Sequence, residues 1–84
     1  MSRSAAEIRA WLVQRISQLT DLDPAELDVH EPVLRYGLDS VQLVVLAADL
    51  EAWLGIRLRE NPLDDHPTIE ALAQFLAEQK RQWG

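Results

Sequence analysis

The sequence contains no cysteine, and this absence removes several kinds of chemistry at once. The chain's own residues can form no disulfide framework, thiolate metal site or cysteine nucleophile. No apolar run is long enough to span a bilayer, so we expect no membrane association. Met1–Ser4 has no long apolar segment behind it, so we expect no signal peptide and a cytoplasmic location. Any thiol chemistry must therefore come from a group attached to the protein.

Basic residues are scarce: eight lysines and arginines stand against fourteen acids, and the net charge is −6. This balance argues against nucleic acid as a partner, because phosphates would be repelled, and it favours basic protein surfaces. Nine of the acids lie in two segments without lysine or arginine, residues 21–31 and 60–70. Such clusters usually form solvated loops. They would also attract partner proteins with basic surfaces.

A chain of 84 residues without repeats or linkers predicts one domain, residues 1–84, with a small core. The first helix is predicted to begin with a capping box between Ser4 and Glu7 and to end near Thr20. Apolar residues at helical spacing mark the buried faces of the first and last helices. In the first helix they are Ile8, Leu12, Ile16 and Leu19, and in the last helix, which follows Pro67, they are Ile69, Leu72, Ala73 and Leu76.

The second helix is predicted to run from Ser40 to Leu54, with Asp39 as its N-cap and Gly55 as its stop. Short helical turns are expected after Asp23 and near Pro62. The apolar residues of the long first loop, which we expect to lie on the core, are Leu27, Val29, Val33 and Leu34. No segment favours a strand. The predicted fold is all-α, a small four-helix bundle with three main helices and one short helix.

The second helix is apolar on two nearly opposite faces, given a rotation of about 100° per residue. The larger face should point to the core and consists of Leu43, Leu46, Ala47, Leu50 and Leu54. The other consists of Val41, Val45, Ala48 and Ala52. This second face either packs beneath the loop of residues 21–38 or is an exposed patch on which partner proteins dock.

Ser40 is the candidate for chemistry, because a hydroxyl at a helix N-terminus lies beside free amides and the positive end of the helix dipole. A phosphodiester on its oxygen would be favourably placed there. Gly37 allows a sharp turn just before the helix. Taken alone, these residues equally fit an ordinary helix start.

Three segments together resemble acyl carrier proteins, and most closely the carrier domains of modular polyketide synthases. They are Tyr36-Gly37-Leu38-Asp39-Ser40, Leu50-Glu51 with Leu54-Gly55, and Pro67-Thr68-Ile69 with Leu72-Ala73. The resemblance implies a four-helix bundle with 4′-phosphopantetheine on Ser40. A phosphopantetheinyl transferase would install this arm from coenzyme A with a magnesium ion, and the arm's thiol would hold acyl groups as thioesters.

The implied partners are the transferase, a loading enzyme (an acyltransferase or acyl-adenylate ligase), and a ketosynthase or other acyl-processing enzymes. We expect Asp39 to fix the helix start and contact the transferase, and the protein to be a monomer. The predicted docking residues are Leu38, Val41, Gln42, Val45 and Ala48.

Two departures from family patterns bear on the type of carrier. Carriers of dissociated fatty acid synthesis are rich in acids along the second helix, where this chain has only Asp49 and Glu51. Peptidyl carriers usually have glycine where this chain has Leu38. We therefore predict a carrier of a polyketide or hybrid pathway, with a peptidyl or aryl carrier of a nonribosomal peptide synthetase as the alternative.

An enzymatic function is not predicted, because serine needs an adjacent base to become a good nucleophile. The two histidines, His30 and His66, lie in predicted loops and are expected to be solvated, and no cluster with metal-ligand spacing is present. Trp11 and Trp53 border apolar faces and should be packing residues. Two further alternatives stay open, an unmodified helical protein-interaction domain and a very small hydrolase that uses Ser40.

Overall fold

The computed structural model describes residues 3–58 and 62–83, without the side chains of residues 64 and 80–83. Three α-helices dominate it: α1 (Ala5–Thr20), α2 (Ser40–Leu54) and α3 (Ile69–Trp83). Short 3₁₀ turns lie between them at Pro24–Glu26, Val33–Tyr36 and Pro62–Asp64. None of these described helices is long and apolar enough to cross a membrane. The predicted all-α fold, with three main helices and a short helical turn near Pro62, is confirmed.

The helix ends follow the capping residues in the sequence. Ser4 Oγ accepts a hydrogen bond from the Glu7 amide at 3.1 Å, and the Glu7 side chain accepts from the Ser4 amide, which forms the expected capping box. Helix α1 ends at Asp21, which adopts the left-handed conformation with φ of 64°. Gly55 ends α2 in the same way, with φ of 70°.

The core lies where the three helices meet. All the expected residues of α1 and α3 except Leu19 are almost completely buried. Leu46, Leu50 and Leu54 form the core face of α2, whereas Leu19, Leu43 and Ala47 are half-buried. From the first loop, Leu27 and Val33 join the core, but Leu34 is 58 % exposed and its predicted core position is wrong. The reason is the 3₁₀ turn at Val33–Tyr36: with three residues per turn, a turn that buries Val33 directs the next side chain outward.

The first loop is held in place by hydrogen bonds at several points. The Tyr36 hydroxyl accepts from the Asp28 amide and donates to the Asp28 carbonyl, both at 2.7 Å. The Val33 amide donates to the Pro67 carbonyl at 2.8 Å, and the Glu70 amide donates to the Val29 carbonyl at 3.0 Å. These bonds tie the loop to the start of α3, so it delivers the chain to α2 from a fixed direction.

The aromatic residues pack in pairs. Trp11 and Trp53 stack with ring centroids 4.9 Å apart, and the Arg3 guanidinium lies 4.3 Å from the Trp53 ring, so their predicted packing role is confirmed. His66 is half-buried and stacks on Phe75 at 4.2 Å, so its predicted solvation is wrong. The flat imidazole covers an apolar ring that would otherwise face water. The Trp83 side chain lies outside the described residues.

Two ion pairs brace α1 against its neighbours: Arg9 pairs with Glu70 on α3, and Arg15 pairs with Asp49 on α2. Hydrogen bonds donated by Arg9 and by Gln74 hold the pKa of the Glu70 carboxyl below its usual value of 4.5. A carboxyl whose pKa is lowered by folding stabilises the fold while it is ionised. Its contribution is therefore complete above pH 4.5 and is lost as the pH falls through the lower folded value.

We expect Glu70→Gln to lower the free energy of unfolding at neutral pH, because it removes the charge that Arg9 binds. The difference from the wild type should shrink as the pH falls, since the wild-type carboxyl then becomes neutral as well. Urea unfolding across a descending pH series measures this difference. Glu78→Gln, at an exposed position on the same helix, is the control. A difference that stays constant down to strongly acidic pH would show that the charge of Glu70 contributes nothing.

Candidate functional site

The N-terminus of α2 is closed by a reciprocal pair of hydrogen bonds. Asp39 has extended backbone geometry, and its Oδ1 accepts from the Gln42 amide at 2.7 Å. Gln42 Oε1 accepts from the Asp39 amide at 3.0 Å. This capping box fixes Ser40 as the first helical residue, which confirms the predicted helix start.

The segment before the helix combines a turn with an anchor. Gly37 has a backbone φ of 82°, which residues with a side chain rarely adopt, although no atom would obstruct a Cβ there. Backbone conformation rather than lack of space therefore favours glycine at this position. Leu38 follows and is only 7 % exposed, so it belongs to the core. Its predicted role as a docking contact is wrong, because the turn points its side chain inward.

Ser40 itself is exposed. No side chain in the described ranges donates to or accepts from its hydroxyl, and the preceding Asp39 side chain uses its Oδ1 for the helix cap. In the first turn of α2, the Gln42 amide donates to Asp39 Oδ1, and the Leu43 amide donates to the Asp39 carbonyl at 3.0 Å. The amides of Ser40 and Val41 come before the first intrahelical bond. The site thus offers an accessible hydroxyl beside free donors and the positive end of a helix.

The outer face of α2 is exposed, which excludes the alternative that it packs beneath the first loop. Val41 is 70 % exposed and Val45 is 37 % exposed, and Ala48 and Ala52 are exposed as well. The sequence prediction missed Val44, which is 68 % exposed. The spacing of Val41, Val44, Val45 and Ala48 at i, i+3, i+4 and i+7 could have revealed it. We call these four residues the aliphatic patch.

Leu34 adds a further exposed apolar side chain on the turn that leads toward Ser40. Sequence reasoning missed this as well, because a leucine in an apolar loop is more often buried. It belongs to a different element from the aliphatic patch.

Gln42, a predicted docking residue, makes hydrogen bonds within the chain. It is half-buried, and its Nε2 donates to the Leu19 carbonyl at 2.8 Å while its Oε1 serves the α2 cap. Both polar atoms of the side chain are therefore engaged within the chain. These bonds and its partial burial favour a structural role for Gln42 over the predicted docking role.

The first loop, which precedes α2 in the chain, carries exposed negative charge. Asp21, Asp23, Glu26 and Asp28 are exposed, and Glu31 is half-buried and pairs with Arg35. Of the second acidic segment, Asp65 is exposed and Glu70 is bound by Arg9, while Glu60 and the Asp64 side chain lie outside the described residues. The first segment therefore provides most of the free negative charge that the structure describes near the loops.

A family model described as a phosphopantetheine attachment site matches residues 10–76. This range contains all of α2 and the turn that precedes Ser40. The chain belongs to this family. It is thus a carrier protein domain, a member of a family that binds 4′-phosphopantetheine on a serine.

Individual relatives agree with the family and differ in size. The acyl carrier protein TtuC of Teredinibacter turnerae is 31 % identical over 74 residues, which cover 88 % of this chain and 85 % of TtuC. The polyketide synthase PksR of Bacillus subtilis is 31 % identical over 78 residues. That match covers 92 % of this chain but only 3 % of the synthase.

A solved structure shows the same fold. The free-standing peptidyl carrier protein of Acinetobacter baumannii superposes with a TM-score of 0.83 at 30 % identity, covering 90 % of this chain and 95 % of that protein. The carrier domain described here is therefore similar both to acyl carriers and to a peptidyl carrier.

Proposed function

We propose that Ser40 is the attachment point of 4′-phosphopantetheine and that this carrier domain presents acyl groups to enzymes of a polyketide or hybrid pathway. The observation that carries the proposal is the exposed and unpartnered Ser40 hydroxyl at the first position of α2, within the range of the family match. The free amides and the helix dipole at this position favour the negative charge of a phosphodiester. Because the chain has no cysteine, the bound arm would supply the thiol that holds acyl groups as thioesters.

The attachment reaction needs a partner, because no base is bonded to Ser40 within the described residues. The Ser40 oxygen would attack the phosphorus of coenzyme A that carries the pantetheine arm. A base of the phosphopantetheinyl transferase would take the hydroxyl proton, and the phosphoanhydride bond would break to release adenosine 3′,5′-bisphosphate with the magnesium ion. Asp39 contributes by fixing the helix start that exposes the hydroxyl.

After attachment, the domain's part is docking rather than catalysis. The aliphatic patch begins at the residue next to Ser40, so a loading enzyme or ketosynthase bound there would hold its active site within reach of the arm. The tether then raises the effective concentration of the acyl group at that active site. The polyketide type is supported by the relatives and by the shortage of acids on α2. Cytoplasmic location and a monomeric state stay predictions from the sequence.

A peptidyl carrier function is the second candidate, because the fold matches the peptidyl carrier of Acinetobacter baumannii closely. Loading experiments separate the two. Transfer of an acyl group from an acyltransferase supports the acyl carrier function, whereas acceptance only of an aminoacyl group from an adenylating enzyme supports the peptidyl one.

Incubation with coenzyme A, magnesium and a transferase should add one phosphopantetheinyl group, and Ser40→Ala should abolish the addition. Intact-protein mass spectrometry measures the product. Ser4→Ala is the control, because Ser4 is also an exposed serine next to a helix start. Modification that persists in Ser40→Ala would disprove the assignment of the site.

Val44→Asp should change the free energy of unfolding by no more than about 0.5 kcal/mol, because Val44 faces water. It should still impair transfer of the acyl group to a partner enzyme, because it places a charge within the aliphatic patch. Leu46→Asp, two residues along the same helix, should unfold the domain, because an unpaired charge would enter the core at a residue only 2 % exposed. Thermal unfolding followed by circular dichroism, together with a transfer assay, tests both. If Val44→Asp transfers acyl groups at the wild-type rate, the aliphatic patch is not a docking surface.

Raising the salt concentration should slow association with a loading enzyme more than it speeds dissociation. Exposed charges mainly affect association rates, and salt screens them over about 8–10 Å. Stopped-flow kinetics across a salt series measures both rates, and Glu26→Gln in the acidic loop should lower the association rate more than Glu78→Gln on α3. An association rate independent of salt would mean that the acids do not guide partners.

A further inference from the structure

One side-chain amide connects the end of α1 to the start of α2. Gln42 Oε1 accepts from the Asp39 amide, and Gln42 Nε2 donates to the Leu19 carbonyl at 2.8 Å. Carbonyls in the last turn of a helix have no intrahelical partner. In the last turn of α1, the Ser17 carbonyl accepts from the amide of Asp21, the residue just beyond the helix. Gln42 therefore caps two helices at once.

This connection matters because α2 depends on few contacts with α1. Helix α1 packs mainly against α3, and its packing against α2 is much less extensive. Within the described residues, two side-chain hydrogen-bonded links join α1 to α2. One is Arg15 to Asp49, with Nε to Oδ2 at 2.7 Å, and the other is Gln42 to Leu19. Asp49 lies about two turns further along α2, so Gln42 makes the link nearer to Ser40.

We propose that Gln42 is a positioning residue for the attachment of phosphopantetheine to Ser40, an inference that rests on the proposed function. Its bond to Leu19 holds the first turn of α2 in one orientation relative to α1. Ser40 is two residues before Gln42 in that turn. A hydroxyl held in one direction reaches a reactive alignment more often than one on a fraying turn, because orientation is part of the activation barrier. Val44, Val45 and Ala48 of the aliphatic patch lie beyond this first turn, so docking on them should be unaffected.

The chain offers a substitution that breaks only one of the two bonds. Gln42→Glu keeps an oxygen that can accept from the Asp39 amide, and glutamate at this position is a normal member of a capping box. It loses the donor to Leu19 and places a carboxylate against a carbonyl at the negative end of α1. Gln14→Glu, at an exposed position of α1, makes the same change in charge and serves as the control.

The test is steady-state kinetics of the transferase on the 84-residue apo protein, together with amide hydrogen exchange. For Gln42→Glu we expect kcat to fall about three- to tenfold, as the loss of one hydrogen bond implies, with KM for the carrier unchanged. The hydrogen-bonded amides of residues 20–22 and 42–43 should exchange faster. Gln14→Glu should match the wild type in every measurement. Circular dichroism establishes that each variant is folded at the assay temperature.

Several outcomes would overturn the proposal. An unchanged kcat would show that the bond does not position Ser40, and a change confined to KM would make Gln42 a docking contact. Hydrogen exchange unchanged in Gln42→Glu would show that the bridge does not hold the turn, whether or not Ser40 is the attachment site. Failure of the wild type to be modified at Ser40 would instead disprove the proposed function. If Gln42→Glu is unfolded, Gln42→Met, which has a similar length and neither polar atom, replaces it. This variant also loses the bond from the Asp39 amide, so its kcat should fall at least as much, again with KM unchanged.

Discussion

The reciprocal capping of α2 by Asp39 and Gln42 is the constraint on which the site depends. It decides which residue begins the helix, and therefore that Ser40 stands at the first position with its hydroxyl in water. A start one residue later would rotate every side chain of α2 by about 100° relative to its cap. The aliphatic patch would then no longer face water, and the leucines of the core face would no longer point into the core.

The neighbouring residues support this start from both sides. Leu38 is buried just before the cap, and Gly37 supplies the turn that lets it point inward. On the other side, Gln42 reaches the end of α1. The exposed Ser40, our proposed attachment residue, is thus held between a buried anchor and a polar bridge. This arrangement would let a modifying enzyme reach Ser40 without disturbing the core.

The composition of α2 reflects two demands on one helix. Leucines at Leu46, Leu50 and Leu54 pack into the core, while valines and alanines cover the opposite face. Exposed valines bury little apolar surface in the isolated domain, and we propose that contact with other proteins explains their presence. In the proposed function, the acids of the first loop would attract a partner over a distance, and the patch would bind it on contact.

The sequence alone determined the helices and their ends, because capping boxes, left-handed stops and helical apolar spacing are local features that need no distant partner. It also indicated Ser40 through its place at a helix start and its resemblance to a family. Tertiary structure decided where Leu34, Leu38, Gln42 and His66 lie. Each of these residues depends on a neighbour that is distant in the chain or on a turn whose direction is set by packing: the amide of Gln42 meets Leu19, and the ring of His66 meets Phe75. Local patterns specify which element forms, but only the packed elements determine which side of a turn is covered.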